Sequence, residues 1–442
     1  MTPYCPMTTL PAAAAYTGGD VLVLIGELFG RGYANGLIEE ASRLGMTVIG
    51  TTVGRRDSDN TLRPLTAEEL SEAEQILGAS IINIPLEAGF DYESVAGAPS
   101  FAEQLKKAKP DEWQQIVCEP TQIEQARLQG TARFKAGLAA VMAELTTRVP
   151  ANANIVFAHT MAGGIPRARF FMPLLNRVFK GSGDKYLPSE PFWNSQVGAL
   201  LNASFNEVTA DTFAYLIEES APLRARAEAA GAAIRYTAYG YHGTGVLIDG
   251  SYRWQSYTPY LQGYAKKRLE EHAIAARNAG IAATVYNCPE ILTNSSALFL
   301  GVELSLYPLL TAVMTSAAPA AQPLYDRIAA LLAAPASVES MLDAVNSYLT
   351  NPLINPIAFE GWPQHSSAPQ MELMLATSQQ LMAMHADQKQ LVCAELSRLV
   401  FRTTGRLMIQ HSWSGSEPVV WLNHDTIATL VADPRGADLL DN

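Results

Sequence analysis

The chain has 442 residues, 48% hydrophobic and 17% charged, enough apolar content to bury a large core and too little charge for a disordered chain. A formal charge of −12 excludes general nucleic-acid binding, which needs clustered Lys and Arg against phosphates. No apolar run is long enough to span a membrane, Met1–Gly19 lacks a signal-peptide pattern, and Cys5, Cys118, Cys288 and Cys393 lack metal-ligand spacing; the expectation is a cytoplasmic protein with no metal site and packing cysteines.

Residues 1–19, punctuated by Pro3, Pro6 and Pro11, read as a surface lead-in. Val21-Leu-Val-Leu-Ile25 is a short apolar run of the kind buried on both faces of a parallel sheet, and Gly26 breaks it. Gly26, Gly30 and Gly32 then open a helix through Ala34, Leu37, Ile38 and Ala41. Glycines at a strand-to-helix turn let the backbone approach a pyrophosphate while the helix N-terminus faces its charge, so a dinucleotide is the expected occupant; a purely structural tight turn fits the glycines too. Met46–Thr51 reads as the second strand and closes a β-α-β unit. Arg55 and Arg56 follow its end, where basic residues suit a 2′-phosphate and favour NADP(H); two solvated arginines are the competing reading, and Asp57 keeps NAD(H) open.

Thr66-Ala-Glu-Glu69 has capping-box spacing and starts a helix to about Leu77, before a third strand at Ser80–Ile84. Residues 88–118 read as an irregular insertion over the core. A long helix over about 121–149 leads to a fourth strand at Asn154–Thr160, and Thr160–Arg169 leaves at the carboxyl edge of the sheet, where such folds bind ligands. Residues 188–231 read as mostly helical. Ala232–Gly240 and Ile281–Tyr286 read as the fifth and sixth strands, with a helix over 257–280 between them. Helices are expected over 298–314, 320–332, 338–349 and 373–400, then a packed tail with Trp413 and Trp421. The expected fold is α/β, a Rossmann-like doubly wound parallel sheet with helical insertions: a catalytic core over 20–316 and a mainly helical extension over 317–442.

Tyrosines crowd the approach to Lys266 and Lys267. A lysine near a tyrosine lowers the phenol's pKa and makes it a usable proton donor. No tyrosine lies four residues before either lysine, but Tyr257 gives Tyr-x8-Lys with Lys266, and Tyr260 gives Tyr-x6-Lys with Lys267. His159 reads as a core residue, His242 as a histidine worth testing, and Arg167 and Arg169 as solvated or as phosphate contacts of an acyl carrier.

Several stretches, in order, resemble the FabV-type trans-2-enoyl reductases, which are enlarged, atypical short-chain dehydrogenase/reductases. They are the Gly26–Gly32 spacing, Ala162–Arg167, Thr237-Ala-Tyr-Gly-Tyr241-His-Gly243, the Tyr257–Lys266 spacing and Leu292-Thr-Asn-Ser-Ser-Ala297, together covering about residues 20–316. Departures mark a relative, not a close member: the Tyr241–Tyr257 gap is longer, the Thr293 motif is one residue shorter, the tail after about 320 does not match, and the Arg pair is foreign to a group that mostly prefers NADH. The resemblance implies reduction of the C2=C3 bond of a 2-enoyl thioester carried on acyl carrier protein or CoA. It assigns Tyr257, Lys266 and Tyr241 to the chemistry, and cofactor contacts to Gly26, Phe29, Gly30, Gly32, Thr51, Arg55, Arg56, Met161, Ala162, Lys266, Ile291 and Thr293. Two other readings stand beside it: a carbonyl reductase of the short-chain type, weakened by the missing Tyr-x3-Lys, and a non-catalytic dinucleotide sensor. The oligomeric state is not legible.

Overall fold

Val21–Ile25 (β1) is apolar at every position because both its faces are covered: Leu22 and Leu24 point into one hydrophobic cluster, Val21, Val23 and Ile25 into a second. The structure, a computed structural model, describes residues 4–26, 32–256, 262–293, 301–319, 321–354 and 365–440, without the side chains of residues 256, 262–264 and 302. In chain order the further strands are β2 (Thr47–Thr52), β3 (Arg55–Arg56), β4 (Leu62–Arg63), β5 (Ser80–Pro85), β6 (Ile155–His159), β7 (Ile234–Gly240), β8 (Gly243–Ile248), β9 (Ser251–Ser256), β10 (Ala283–Asn287) and β11 (Val419–Trp421). Seven form one parallel sheet in the order β11-β10-β7-β6-β1-β2-β5. The order reverses between β1 and β6, and ligands of doubly wound sheets lie outside the carboxyl ends of the strands at such a point.

Six of the seven strands of this sheet are the predicted ones; β11 is the addition. The tail with Trp421 thus supplies a strand, and the division at 316/317 is crossed by the sheet itself. The lead-in joins this edge: Trp421 N–H donates to the Cys5 carbonyl at 3.1 Å, Met7 N–H donates to the Trp421 carbonyl at 2.9 Å, and Met7 and Tyr16 are buried. Between Tyr241 and the Gln262–Asn278 helix the chain forms a β8–β9 hairpin turned at Asp249-Gly250, both at positive φ (48° and 72°) as a tight hairpin turn demands.

The capping box at Thr66 and Glu69 forms as expected, and Gly78 ends its helix in the left-handed conformation. The helix expected over 373–400 is two helices, Ala368–Ala383 and Val392–Ser414. The break is held by His385, whose Nε2 accepts the Val392 N–H at 3.0 Å while Nδ1 meets the Leu381 carbonyl at 2.8 Å. The insertion at 88–118 carries its own core, with Phe90, Phe101 and Trp113 packed against Phe170, Phe171 and Phe192.

Candidate active site

The glycine turn is clamped from both neighbouring strands. Gly26 lies at φ 128°, and a Cβ there would meet Thr160 Oγ1 at 2.8 Å and Met161 N at 3.1 Å, so only glycine fits. Its N–H donates to Thr51 Oγ1 at 3.0 Å, and that hydroxyl donates to the Leu24 carbonyl at 3.0 Å. Thr51 therefore fixes the exit of β1. Gly32, at φ 143°, leads into the Tyr33–Arg43 helix, which crosses the Val392–Ser414 helix at a glycine seam. A Cβ on Gly36 would come within 1.7 Å of the Phe401 carbonyl oxygen, and one on Gly405 within 2.1 Å of Gly36. Beside the seam, buried Glu40 receives Arg406 Nε at 3.0 Å and Gln410 Nε2 at 3.1 Å. The end of the chain thereby sets the position of the helix that a pyrophosphate would face.

The carboxyl ends of β7 and β10 form a second, more polar construction. Lys266 on the Gln262–Asn278 helix is buried and donates from Nζ to the Tyr239 carbonyl at 2.7 Å. Burial pulls its ammonium down to about 8, against a smaller upward effect of Cys288. One turn on, Glu270 is also buried; its Oε1 receives Asn287 Nδ2 at 2.8 Å and stands 3.2 Å from His242 Nδ1. Residues four apart share a helix face, so this face holds both sides of the β7 exit. Asn287 Oδ1 accepts the His242 N–H at 2.9 Å, and a Cβ on Gly240 would collide with that oxygen at 2.1 Å. Tyr241, between Gly240 and His242, is therefore held on a rigid corner. Tyr239 links the corner to the glycine turn: its hydroxyl donates to the Tyr33 carbonyl at 2.8 Å, and the two rings stack at 4.6 Å. Burial raises the Tyr239 hydroxyl well above the usual phenol range. The Tyr33 hydroxyl in turn donates to the Pro289 carbonyl.

The loop after β10 runs Cys288-Pro-Glu290-Ile-Leu-Thr293. Glu290 and Ile291 are buried, Thr293 is half-buried, and the Leu292 N–H donates to Ser397 Oγ at 2.8 Å. Desolvation raises the Glu290 carboxyl well above its ordinary range, opposed by a hydrogen bond with Tyr241.

On the other side of the switch point, a cavity of about 430 Å³ opens among the exits of β2, β5 and β6, lined by Val53, Ala88, Asp91, Met161, Gly164 and Arg167 among others. Arg167 takes the left-handed conformation, φ 37°, which is rare away from glycine, and its N–H donates to Asp91 Oδ2 at 3.0 Å. Burial, foremost, raises the Asp91 carboxyl. Arg56 lies nearby but is already engaged: its Nε meets Glu87 Oε1 at 2.9 Å and its guanidinium sits 4.1 Å over the Tyr92 ring.

The family model of the enoyl-acyl carrier protein reductase FabMG matches residues 3–431. The chain belongs to the FabMG family. The apo structure of a FabMG, a novel type of enoyl-acyl carrier protein reductase, is 47% identical, with 98% of each chain covered and a TM-score of 0.93. An NADH-bound FabMG structure is 40% identical over 97% of this chain and 98% of its own, with a TM-score of 0.78. No curated protein matches the chain significantly. The chain is an enoyl-acyl carrier protein reductase, an oxidoreductase acting on a CH–CH bond with a nicotinamide dinucleotide. The expectation of an enlarged, atypical enoyl reductase is met, and the carbonyl-reductase and sensor readings give way to it.

Of the residues expected at the site, Tyr257, Phe29 and Gly30 lie outside the described residues, as does Tyr260. Lys266, Tyr241, Ile291 and Thr293 gather at the β7–β10 exits. Gly26, Thr51 and Met161 gather at the exits of β1, β2 and β6; Met161 is buried while Ala162 is exposed. His159 is a core residue, as expected: it is fully buried, its Nε2 is 2.7 Å from Thr212 Oγ1, and burial depresses it to about 3. His242 is locked to Glu270 inside the corner. The cysteines are free thiols, with Cys118, Cys288 and Cys393 buried, and no metal-ligand cluster exists among the described residues. Sequence reasoning passed over Tyr239, Glu270, Asn287, Glu290 and Asp91. A signal existed for three of them: Tyr239 lies inside the motif quoted for Tyr241, and Asn287 and Glu290 are polar residues at the exit of an apolar strand.

Proposed function

We propose that Lys266, Tyr241 and Tyr257 carry the reduction in this enzyme, with Lys266 as the anchor. The observation behind this reading is the buried Lys266 ammonium. It has three donors, and among the described residues one is used, on the Tyr239 carbonyl. A buried cation with donors in hand fits the hydroxyls of a nicotinamide ribose, and the Gly26 turn, which a Cβ would obstruct, fits a pyrophosphate. When bound, the dinucleotide supplies the hydride that adds to Cβ of the 2-enoyl thioester. Tyr257 then hydrogen-bonds or protonates the thioester enolate oxygen, and Tyr241 gives a second hydroxyl to the same oxygen. A prearranged pair of donors at the position where negative charge develops is the largest contribution a protein makes to such a step. Thr293 and Ile291 line the nicotinamide end.

The cavity beside Asp91 and Arg167 takes the adenosine end, since it lies on the β1–β2–β5 side of the switch point. A preference for NADPH over NADH would rest on Arg55 rather than on the Arg55–Arg56 pair, because Arg56 is matched by Glu87. The acyl group arrives on acyl carrier protein. No helix among the described residues is long and apolar enough to cross a membrane, in keeping with a cytoplasmic site of action.

Oxidation of NADPH or NADH with crotonyl-CoA tests the assignment of roles. Tyr257→Phe should lower kcat by about 10²-fold or more with dinucleotide binding retained, and Tyr260→Phe far less. Loss of turnover in Tyr260→Phe with Tyr257→Phe intact would transfer the role to Tyr260 and Lys267.

A further inference from the structure

Tyr239 grips two parts of the site at once, and one of its bonds is more than packing needs. Its ring stacks on Tyr33 at 4.6 Å, which a phenylalanine would do as well, yet its hydroxyl donates to the Tyr33 carbonyl at 2.8 Å. Its own carbonyl accepts Lys266 Nζ at 2.7 Å. Tyr33 is the first residue of the helix after the glycine turn. One residue of β7 thus holds that helix by its side chain and the buried lysine by its main chain. β6 lies between β7 and β1 in the sheet, so no ladder hydrogen bond ties the two sides together directly. The bridge is braced a second time, because the Tyr33 hydroxyl donates to the Pro289 carbonyl in the loop that leads to Ile291 and Thr293. With its hydrogen on the Tyr33 carbonyl, the Tyr239 hydroxyl has none to give to a substrate.

We propose that Tyr239 is a positioning residue for the dinucleotide: it sets the span between the first turn of the Tyr33–Arg43 helix and Lys266, so that one cofactor reaches both. This rests on the reading that the turn faces the pyrophosphate and Lys266 the nicotinamide ribose. Two anchors on one ligand reinforce each other only where their separation matches the ligand. Once the first contact is made the second is intramolecular, and a mismatched span forfeits it. A span fixed before binding also does not have to be ordered during it. Both grips belong to the same residue, which leaves little slack between the helix and the lysine. The effect therefore depends on how far a ligand extends. Removing the hydroxyl weakens a ligand that touches both anchors and spares one that touches only the first.

Calorimetric titration of the full chain with NADH, which spans both anchors, and with ADP, which ends at the diphosphate, tests this in wild type, Tyr239→Phe, Lys266→Met and the double variant. Tyr239→Phe keeps the ring and the main-chain carbonyl; it should weaken NADH about fivefold and ADP less than about twofold. Lys266→Met should weaken NADH about tenfold or more and spare ADP in the same way. In the Lys266→Met background the far anchor is gone, so adding Tyr239→Phe should cost NADH no more than it costs ADP. In steady-state kinetics with crotonyl-CoA, Tyr239→Phe should raise KM for NADH about fivefold and leave KM for crotonyl-CoA within about twofold. Equal losses for NADH and ADP in Tyr239→Phe would mark a merely structural bond and overturn the role of Tyr239 alone. So would an unchanged NADH affinity, or a double variant that pays the full cost of both single changes. NADH binding unaltered by Lys266→Met overturns the underlying reading of Lys266 as well.

Discussion

On the β1–β2–β5 side of the sheet, the buried Asp91 apart, several charged side chains near the strand exits are matched in pairs close to solvent: Arg56 with Glu87, Arg63 with Asp57 and Glu69, Arg133 with Glu93. On the β7–β10 side Lys266, Glu270 and Glu290 are each less than a tenth exposed, and Glu270 Oε2 and Glu290 Oε1 have no partner among the described residues. Exposed pairs cost little and contribute about 0–1 kcal/mol. Buried ionisable groups cost several times that, so they persist where something other than stability requires them. On the proposed assignment of the site, the first side would shape a place for a ligand and the second would carry the groups used in the reaction.

The deepest test of this division removes the cation from the second side. Lys266→Met should lower kcat/KM by on the order of 10²–10⁴-fold, since both the proposed ribose contact and the proposed influence on the tyrosines go with it. The same variant reads the cost of burial in the apo-enzyme. The folded-state pKa of Lys266 is depressed to about 8 from an ordinary lysine value near 10.5, so between these pH values the unfolded chain binds more protons, and wild-type stability rises with pH across that window. Below pH 8 the burial costs about 3 kcal/mol, partly offset by the bond to the Tyr239 carbonyl. Denaturant unfolding should therefore find Lys266→Met more stable than wild type at pH 7, with the gap closing towards pH 10.5. A gap that ignores pH would mean that the lysine titrates as an exposed one.

How far the sequence discloses this division depends on distance along the chain. The apolar strands were legible because burial on both faces writes itself into consecutive residues, as in Val21–Ile25 and Ala283–Tyr286. The β8–β9 hairpin had a local signal in Asp249-Gly250, but the stretch was read only as a gap between two tyrosines. β11 has three residues after Pro418, too few to show a period. Lys266 and Tyr241 were reached through spacing and resemblance. Glu290 was not, because only the pairing of β7 with β10 brings its loop to the β7 exit. Likewise nothing in Arg55-Arg56 discloses that Glu87, two strands and a helix later, already occupies one of them.

On the first side the expected effects are smaller and fall on binding. Asp91→Ala removes the acceptor that holds the Arg167 N–H in its left-handed conformation at the cavity wall. Loss of one such contact, about 1–2 kcal/mol, should raise KM for the dinucleotide roughly tenfold and leave kcat within about twofold. A fall in kcat with KM unchanged would put chemistry on the side assigned to binding and dissolve the contrast.

The smallest effect concerns cofactor choice, where the sequence suggests that Arg55 and Arg56 act together on a 2′-phosphate. They are successive residues of the two-residue strand β3, paired with Arg63 and Leu62 of β4, and successive strand residues point to opposite faces. One phosphate does not reach both. Arg56 is further committed through its fork to Glu87 and through its plane to Tyr92, so a phosphate would have to compete with a carboxylate already in bidentate contact. Arg55 Nη1 donates to the Gly54 carbonyl at 2.8 Å. Gly54 lies next to Val53, which lines the cavity beside Asp91 and Arg167. Arg55→Ala should therefore lower the ratio of NADPH to NADH efficiency about fivefold, the scale of one partly solvated charge-assisted contact of about 1 kcal/mol, and Arg56→Ala should change it by less than about twofold. Equal shifts in the two single variants would restore the joint action suggested by the sequence; a shift in Arg56→Ala alone would mean that the dinucleotide displaces Glu87 on binding.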